Sequence, residues 1–196
     1  DGISTVAVPP APRRTTNASQ RCGVVSPYGI GRHAIDPEAW TTYTSSYRWG
    51  SRSGREHVGF APLFGHQFSH VWIDFRGIQD AYMRARGIDY FENTRRATLE
   101  QRQYAIENPG AFTAYGADVW GLSACDGPAD VTLSWAGRQV RFMTYAARGA
   151  SFTEVRDDGT IAPYAAGSSL PFTPAESTTA LKTMHEKHRF MRGMSV

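Results

Sequence analysis

The sequence lacks several features that would assign it to a common class of protein. Its 196 residues contain no run of about 18 or more apolar residues, so no membrane-spanning helix is predicted. The two cysteines, Cys22 and Cys125, are too few for a disulfide framework, or for a closed zinc site without histidines. Dinucleotide-binding and phosphate-binding glycine loops are absent, as is the Gly-x-Ser-x-Gly elbow of serine hydrolases. Nucleotide binding and serine hydrolysis therefore lose their usual sequence support.

Positive charge is concentrated at the two ends of the chain. The formal net charge is +3, and residues 1–22 and 182–196 together supply an excess of five positive charges. Residues 23–181 contain 14 basic and 16 acidic side chains. A nucleic-acid-binding protein concentrates Lys and Arg on a folded face. Nucleic acid is therefore not expected as a partner.

Composition divides the chain into three parts. Residues 1–24 combine prolines, arginines and small polar residues without apolar periodicity, which predicts an unstructured or non-native arm. Residues 25–184 carry the helical signals and form the predicted domain. Residues 185–196 lose the apolar spacing and form a basic tail.

Capping signals and apolar spacing predict four helices in residues 25–184. They are expected to begin at Asp36-Pro37, to run from about Pro62 to Arg84, to lie between the Asp89–Glu92 capping box and Asn108, and to extend from the Thr173–Glu176 capping box through Met184. Residues 131–142 alternate on both sides of Gly137, which predicts a β-hairpin. The predicted fold is mainly α, with helices packed on helices, one small β-hairpin insertion and a site built by loops at one end.

Two histidines, His66 and His70, stand four residues apart, which is the spacing of a zinc-protease helix. That motif needs Glu directly after the first histidine as general base, and Gln67 in its place cannot accept the proton. A metal site is not expected. One histidine is then a core residue or a hydrogen-bonding partner of a sugar.

Other charged side chains admit two interpretations each. Asp74 and Arg76 form a structural ion pair, or one of them faces a polar ligand. Glu92 is the carboxylate of a capping box, or a ligand group at a helix N-terminus. Adjacent Asp157 and Asp158 form a turn with a helix cap, or supply a general base whose pKa is raised by its charged neighbour.

Residues 115–128 form a glycine-rich loop in which Trp120 lies between two acidic residues, Asp118 and Asp126. An aromatic ring stacks on the apolar face of a sugar, while nearby carboxylates hold the sugar hydroxyls. The composition of this loop suits a carbohydrate cleft.

Taken in order, several segments resemble the glucoamylase-like family of bacterial glycoside hydrolases, whose members include anomer-inverting endo-β-1,2-glucanases. The resemblance covers about residues 26–184. The matching segments are Ser26-Pro27, AIDPE at 34–38, PLFGHQFSH at 62–70, DFRG at 74–77, YFEN at 90–93, YG at 115–116, WGLSACDGP at 120–128, DGTIAP at 158–163 and SLPFTPAES at 169–177.

The resemblance implies a partial (α/α)6 toroid, an incomplete barrel of helical hairpins with the sugar cleft at one end. It implies hydrolysis of a β-glucan, with β-1,2 linkages as the specific expectation, by two carboxyl groups that stand apart and without a metal or other cofactor. It also implies an oligo- or polysaccharide as partner, a monomer if the fold is complete, and a periplasmic or secreted location, although the sequence shows no signal peptide.

Site residues follow from the same resemblance. The general base falls on Asp157 or Asp158, and Asp158 is favoured because it directly precedes Gly-Thr-Ile-Ala-Pro. The positions expected to line the substrate cleft are His66, Arg76, Glu92, Trp120 and Asp126.

The two ends depart from the family pattern. The general-acid Glu is expected a few residues before Ser26, where residues 17–24 contain no carboxylate, and the usual ending of the family is replaced by residues 185–196. We therefore expect an incomplete copy of the domain, for which a truncated reading frame is one explanation. Its parent fold is a glycosidase, while this chain is weakly active or inactive. The alternative is a non-catalytic carbohydrate-binding protein or truncated pseudoenzyme.

Overall fold

A computed structural model describes residues 37–187. The predicted arm at residues 1–24 and the Asp36 cap lie outside the described residues. Residues 37–187 contain six α-helices and one 3₁₀ turn: α1 (Pro37–Ser45), α2 (Leu63–Gln67), the 3₁₀ turn (Phe68–Val71), α3 (Ala81–Arg86), α4 (Tyr90–Glu107), α5 (Pro163–Ser168) and α6 (Pro174–Lys187). In residues 37–187, no helix is both long enough and apolar enough to cross a bilayer.

Short strands connect these helices in antiparallel pairs. The pairs are β1 (Trp49–Gly50) with β2 (His57–Val58), β3 (Ala124–Asp126) with β6 (Tyr145–Ala147), β4 (Val131–Trp135) with β5 (Arg138–Phe142), and β7 (Gly149–Ala150) with β8 (Val155–Arg156). The predicted hairpin is confirmed as β4–β5, whose turn places Ala136 and Gly137 at φ values of 48° and 76°. The other pairs were missed because strands of two or three residues carry no alternation signal.

Local capping chemistry explains the longest helix, α4, and the predictions of α4 and of the start of α6 are confirmed. The Asp89 side chain accepts a hydrogen bond from the Glu92 amide at 2.7 Å, which satisfies a free donor in the first turn of α4. The helix ends at Asn108, in the left-handed region with φ 44°. Helix α6 begins after Thr173 as predicted and continues to Lys187, three residues into the predicted basic tail.

The prediction of a single helix between Pro62 and Arg84 is wrong. The structure breaks it into α2, the 3₁₀ turn and α3, because Gly77 adopts a φ of 70° and Asp80 starts a new helix by accepting from the Met83 amide at 2.7 Å. The apolar residues that suggested one buried face are consequently divided. Trp72 is 85% exposed, whereas Phe75 is buried.

The core lies between α4, α5, α6 and the loop that follows α4. Trp120, Leu122, Ala165 and Ala180 belong to it and are almost fully buried. The amide side chain of Gln101 on α4 connects the core segments: it donates to the carbonyls of Ala61 and Leu122 and accepts from the Leu122 amide. A helix packed in this way fixes the loops at both of its ends.

A buried carboxylate on α4 holds the loop between β1 and β2. Glu100 is 1% exposed and accepts hydrogen bonds from the amides of Arg52 and Ser53 and from the Ser53 hydroxyl. Hydrogen bonds to an ionised group contribute more than neutral ones. Glu100 therefore positions Arg52, whose guanidinium lies over the Tyr104 ring at 5.3 Å.

Replacing Glu100 with Gln should lower the free energy of unfolding by roughly 2 kcal/mol, because one acceptor of the loop amides becomes an NH₂ donor. Urea denaturation of the full chain measures this change. Glu107→Gln, on the exposed end of the same helix, is the matched control and should change it by less than about 0.5 kcal/mol. Equal effects of the two substitutions would contradict the anchoring role of Glu100.

Candidate active site

The two adjacent aspartates lie in the turn between β8 and α5, and their side chains bind different parts of the fold. Asp157 accepts from the Gly159 amide at 2.9 Å, and Asp158 accepts from the Thr160 amide at 3.2 Å. Gly159 has a φ of 85°, and a Cβ there would lie 2.5 Å from the Phe112 ring, so the turn requires glycine. The turn thereby directs the two carboxylates apart.

Asp158, the residue that the sequence favours as general base, lies in a buried ion pair. Nε and Nη2 of Arg148 donate to its two carboxylate oxygens at 2.6 and 2.7 Å, and both side chains are fully buried. Burial alone would raise the pKa of Asp158, but the hydrogen bonds from Arg148 and Thr160 and the charge of Arg148 hold that pKa below its usual value. Among the described residues, both oxygens of the Asp158 carboxylate are therefore engaged by protein groups.

Arg148 also joins two other points of the fold. Its Nη1 donates to the Cys125 carbonyl and its Nη2 to the Met143 carbonyl, both at 2.7 Å. A Cβ at Gly127 would lie 2.2 Å from the guanidinium, so glycine makes room for it. The hydrogen bond with Asp158 raises the pKa of Arg148, despite its burial. One guanidinium thus holds strand β3, the end of β5 and the aspartate turn together.

Asp157 is half-buried and faces a cavity. The hydroxyls of Tyr104 and Tyr115 donate to its two oxygens at 2.9 and 2.6 Å. Burial and the charge of Asp157 raise the pKa of both tyrosines, so their hydroxyls stay protonated as donors. The cavity has a volume of about 320 Å³, and Asp157 and Tyr104 form part of its wall. This carboxylate is oriented and accessible, as a general base must be.

Tyr104 and Tyr115 were not predicted as site residues. Tyr115 belongs to the Tyr-Gly segment of the family resemblance, which was a usable signal. Tyr104 lies in the middle of a helical pattern, where a buried aromatic residue is indistinguishable from ordinary core.

His66 lies in the core rather than in an accessible cleft. It is 9% exposed, and its Nε2 lies 3.0 Å from the Phe60 carbonyl. Burial lowers its pKa to about 4, so the ring is neutral at ordinary pH. The neighbouring His70 is placed by Thr94, whose hydroxyl lies 3.0 Å from its Nε2. In residues 37–187, no group of three or more His, Cys, Asp and Glu side chains is arranged to hold a metal ion.

Trp120 also departs from the expected cleft position. Its side chain is 0% exposed, and its indole nitrogen has no hydrogen-bond partner among the described residues. Gly121, with φ 125°, lets the chain pass close to Ala162 and Ala165 beside it. Trp120 would have to leave the core before it could stack on a sugar.

Arg76, Glu92 and Asp126 are accessible. Arg76 forms a bidentate ion pair with Asp74, with 2.6 Å between Nη2 and Oδ2, and its guanidinium lies 5.7 Å from the Phe91 ring centre. The pair is exposed, not buried, and its hydrogen bonds lower the pKa of Asp74 to about 2. Glu92 binds Arg96 at 2.9 Å. Asp126 is exposed on β3, opposite Tyr145.

The predicted residues do not converge on one point. Glu92 lies in the first turn of α4, and Tyr104, which binds Asp157, lies twelve positions later. At 1.5 Å per residue these positions are about 18 Å apart along the helix. Arg76 and Glu92 therefore mark one end of α4, and Asp157 with its cavity marks the other.

Comparison with protein families gives a match over residues 19–194 to the family described as "Putative glucoamylase". Over 153 residues the chain is 30% identical to an exo β-1,2-glucooligosaccharide sophorohydrolase (non-reducing end) from Parabacteroides distasonis. This match covers 78% of the chain and 18% of that protein. The chain thus spans about a fifth of the length of this curated relative.

Two solved structures are similar to the described fold. An endo-β-1,2-glucanase from Chitinophaga pinensis, in complex with sophorotriose and glucose, aligns with a TM-score of 0.59 at 28% identity, over 77% of this chain and 33% of that one. A protein from Bacteroides fragilis described as a putative glucoamylase aligns with a TM-score of 0.61 at 30% identity, over 76% of this chain and 32% of that one. Both likenesses cover about a third of the longer chain.

Replacing Arg148 with Met should lower the free energy of unfolding by about 3–5 kcal/mol, because it leaves the Asp158 carboxylate buried and unpaired. Adding Asp158→Asn to that variant should cost less than the sum of the two single substitutions, since the charge is then gone. Urea denaturation of both single variants and the double variant measures this coupling. Strictly additive losses would show that the ion pair is not the anchor of the turn.

Stability should fall on mild acidification because of His66. Its pKa is about 4 in the folded chain and about 6.5 when unfolded, so between these values the unfolded chain takes up the proton first. The free energy of unfolding should therefore decrease by about 2 kcal/mol between pH 7 and pH 5 on account of this residue. His66→Gln should remove that part of the pH dependence, whereas His185→Gln, exposed on α6, should not. An unchanged slope in His66→Gln would contradict this assignment.

Proposed function

Since the chain belongs to the glucoamylase-like family of glycoside hydrolases, we propose that it acts on β-glucan, with β-1,2 linkages as the preferred class, and that Asp157 is the general base. The observation that carries this proposal is the accessible Asp157 carboxylate, held between two tyrosine hydroxyls at the wall of the cavity. Asp158 is a positioning residue that fixes the turn through Arg148.

The hydrogen bonds of Asp157 support this role. Oδ1 accepts from Tyr115 and from the Gly159 amide, whereas Tyr104 is the only donor to Oδ2 within residues 37–187. Each carboxylate oxygen has two lone pairs, so Oδ2 keeps one for a water molecule. In an inverting hydrolysis, Asp157 takes a proton from this water as its oxygen attacks the anomeric carbon. Tyr104 and Tyr115 orient the carboxylate.

Departure of the sugar also requires an acid on the opposite side of the glycosidic bond. Among the described residues that line the cavity, Asp157 is the single carboxylate. A missing general acid typically costs a factor of about 10²–10⁴ in rate. We therefore propose that this chain hydrolyses natural glucan weakly or not at all, while the base half of its site remains in place.

The remaining expectations belong to the same proposal. We infer that α1–α6 are a portion of an (α/α)6 toroid, since they align with two glucoamylase-like structures and α5 packs on α6 as a helical hairpin. A β-glucan polymer as substrate favours a periplasmic or secreted location. We also propose that the protein is a monomer, that a saccharide is its partner and that it uses no cofactor.

A non-catalytic carbohydrate-binding role is the second candidate. The observation that favours it is the exposed Trp72, at 85%, on the segment that also carries the Asp74–Arg76 ion pair. An exposed indole stacks on a sugar ring, and paired charged groups hold hydroxyls. In this case Trp72→Ala should abolish glucan binding, while Asp157→Asn should leave it unchanged.

A substrate with a fluoride leaving group tests the base without needing the acid. With β-sophorosyl fluoride, water attacks the anomeric carbon, the carbon–fluorine bond breaks, fluoride leaves and the water proton passes to Asp157. We expect the full chain to release fluoride, and Asp157→Asn to reduce the rate by about 10²–10⁴. A fluoride electrode measures the rate, and proton NMR should detect α-sophorose as the first product.

Asp126→Asn is the matched control, because Asp126 is exposed and lies outside the cavity lining. Its fluoride release should equal that of the unmodified chain. Release that is equal in Asp157→Asn and in the unmodified chain would reject Asp157 as the base. A β-anomer as first product would reject inversion.

A further inference from the structure

The cavity beside Asp157 has an unusual charge for a site that handles a neutral sugar. Its wall contains three arginines, Arg138, Arg141 and Arg156, and one carboxylate, Asp157. Three cations against one anion leave an excess of two positive charges. Protein surfaces normally intersperse the two signs. This excess is local, because residues 23–181 as a whole contain more acidic than basic side chains.

Arg138 is held in place before any ligand arrives. Its guanidinium lies 5.5 Å from the centre of the Phe112 ring, and its Nη2 donates to the Gly110 carbonyl at 2.9 Å. A guanidinium has five N–H donors, so most of them remain available. Because the aromatic ring and the carbonyl fix the side chain, little conformational freedom is lost when Arg138 binds an anion.

Arg156 and Arg141 are exposed at the same wall. In the part of the chain that the structure describes, no ion pair or side-chain hydrogen bond involves Arg156. Arg141 lies near Asp130 and contributes to lowering the pKa of that exposed carboxyl. Arg52 lies outside the cavity wall, with its guanidinium 5.3 Å from the centre of the Tyr104 ring. Three of these cations therefore line the same cavity as Asp157.

Guanidinium groups match planar oxyanions and phosphates, with which they form paired, charge-assisted hydrogen bonds. Neutral hydroxyls do not require this excess of positive charge. We propose that the cavity contains a subsite for an anionic substituent, a phosphate ester or a carboxylate, carried by the saccharide next to Asp157. This inference rests on the proposed function and names a substrate class within it. The volume of about 320 Å³ suits one substituted sugar unit rather than a polyanionic polymer.

Calorimetric titration of the full chain with four probes tests the subsite: glucose, glucose 6-phosphate, glucuronate and inorganic phosphate. We expect both charged sugars to bind at least about tenfold more tightly than glucose and than inorganic phosphate, with the advantage shrinking as salt is raised. The phosphate ester and the carboxylate are separate arms, so they distinguish the two sources of negative charge.

Three variants sharpen the test. Arg138→Gln with Arg156→Gln should abolish the preference for charged sugars, whereas Arg84→Gln, exposed on α3, should retain it. Asp157→Asn should strengthen binding of the charged sugars by several-fold, because it removes the one negative charge of the wall, while it slows fluoride release by the factor given above. Circular dichroism shows whether the double variant folds. If it does not, Arg156→Gln alone should fold, because the exposed Arg156 side chain makes no ion pair or side-chain hydrogen bond with the described residues. Since it removes one arginine of the wall, it should still weaken the preference for charged sugars.

Equal affinities for glucose and the charged sugars would overturn the proposal, as would a preference that survives both arginine substitutions. Inorganic phosphate binding as tightly as glucose 6-phosphate would also overturn it, since the sugar would then contribute nothing. Fluoride release without any preference for charged sugars would reject the subsite and leave the proposed hydrolase standing. Preference without fluoride release would reject the hydrolase and retain the subsite.

Discussion

The ion pair between Arg148 and Asp158 is the interaction on which the candidate site depends. The side chains of both partners are fully buried, and the guanidinium also binds the carbonyls of Cys125 and Met143. The strands around it have only two to five residues, which is too little to fix their mutual arrangement by ladder hydrogen bonds alone. The several hydrogen bonds of one guanidinium hold these short strands together instead. Because it holds Asp158 inward, the adjacent Asp157 faces the cavity.

Helix α4 provides the second constraint. Its buried face is largely polar: Glu100 fixes the β1–β2 loop, Gln101 binds the backbone of Ala61 and Leu122, and Tyr104 binds Asp157. Each of these side chains meets a partner at least 21 positions away in the sequence. Successive positions of α4 therefore hold different segments of the fold. Glu92 and Tyr104 are far apart because they lie toward opposite ends of this helix.

Local signals predicted much of the secondary structure, whereas the site depended on distant contacts. The caps at Asp89 and Thr173 and the turn at Gly137 act within a few residues, so the sequence predicted α4, the start of α6 and the β4–β5 hairpin. Gly77, with its positive φ, and the cap at Asp80 separate α3 from the 3₁₀ turn, so the expected long helix does not form. The different burial of Asp157 and Asp158 could not be predicted, because it depends on their distant partners Arg148, Tyr104 and Tyr115. The family resemblance located the turn but not which carboxylate is accessible.

The turn at residues 156–159 also constrains how this segment can change in evolution. Its two aspartates are neighbours with opposite orientations, one toward Arg148 and one toward the cavity. An insertion or deletion of one residue here would shift both aspartates, so that a different side chain would meet Arg148. Substitutions elsewhere in the loop leave this alternation intact. The length of this turn is therefore more restricted than its composition, and related chains should vary here by replacement rather than by gaps.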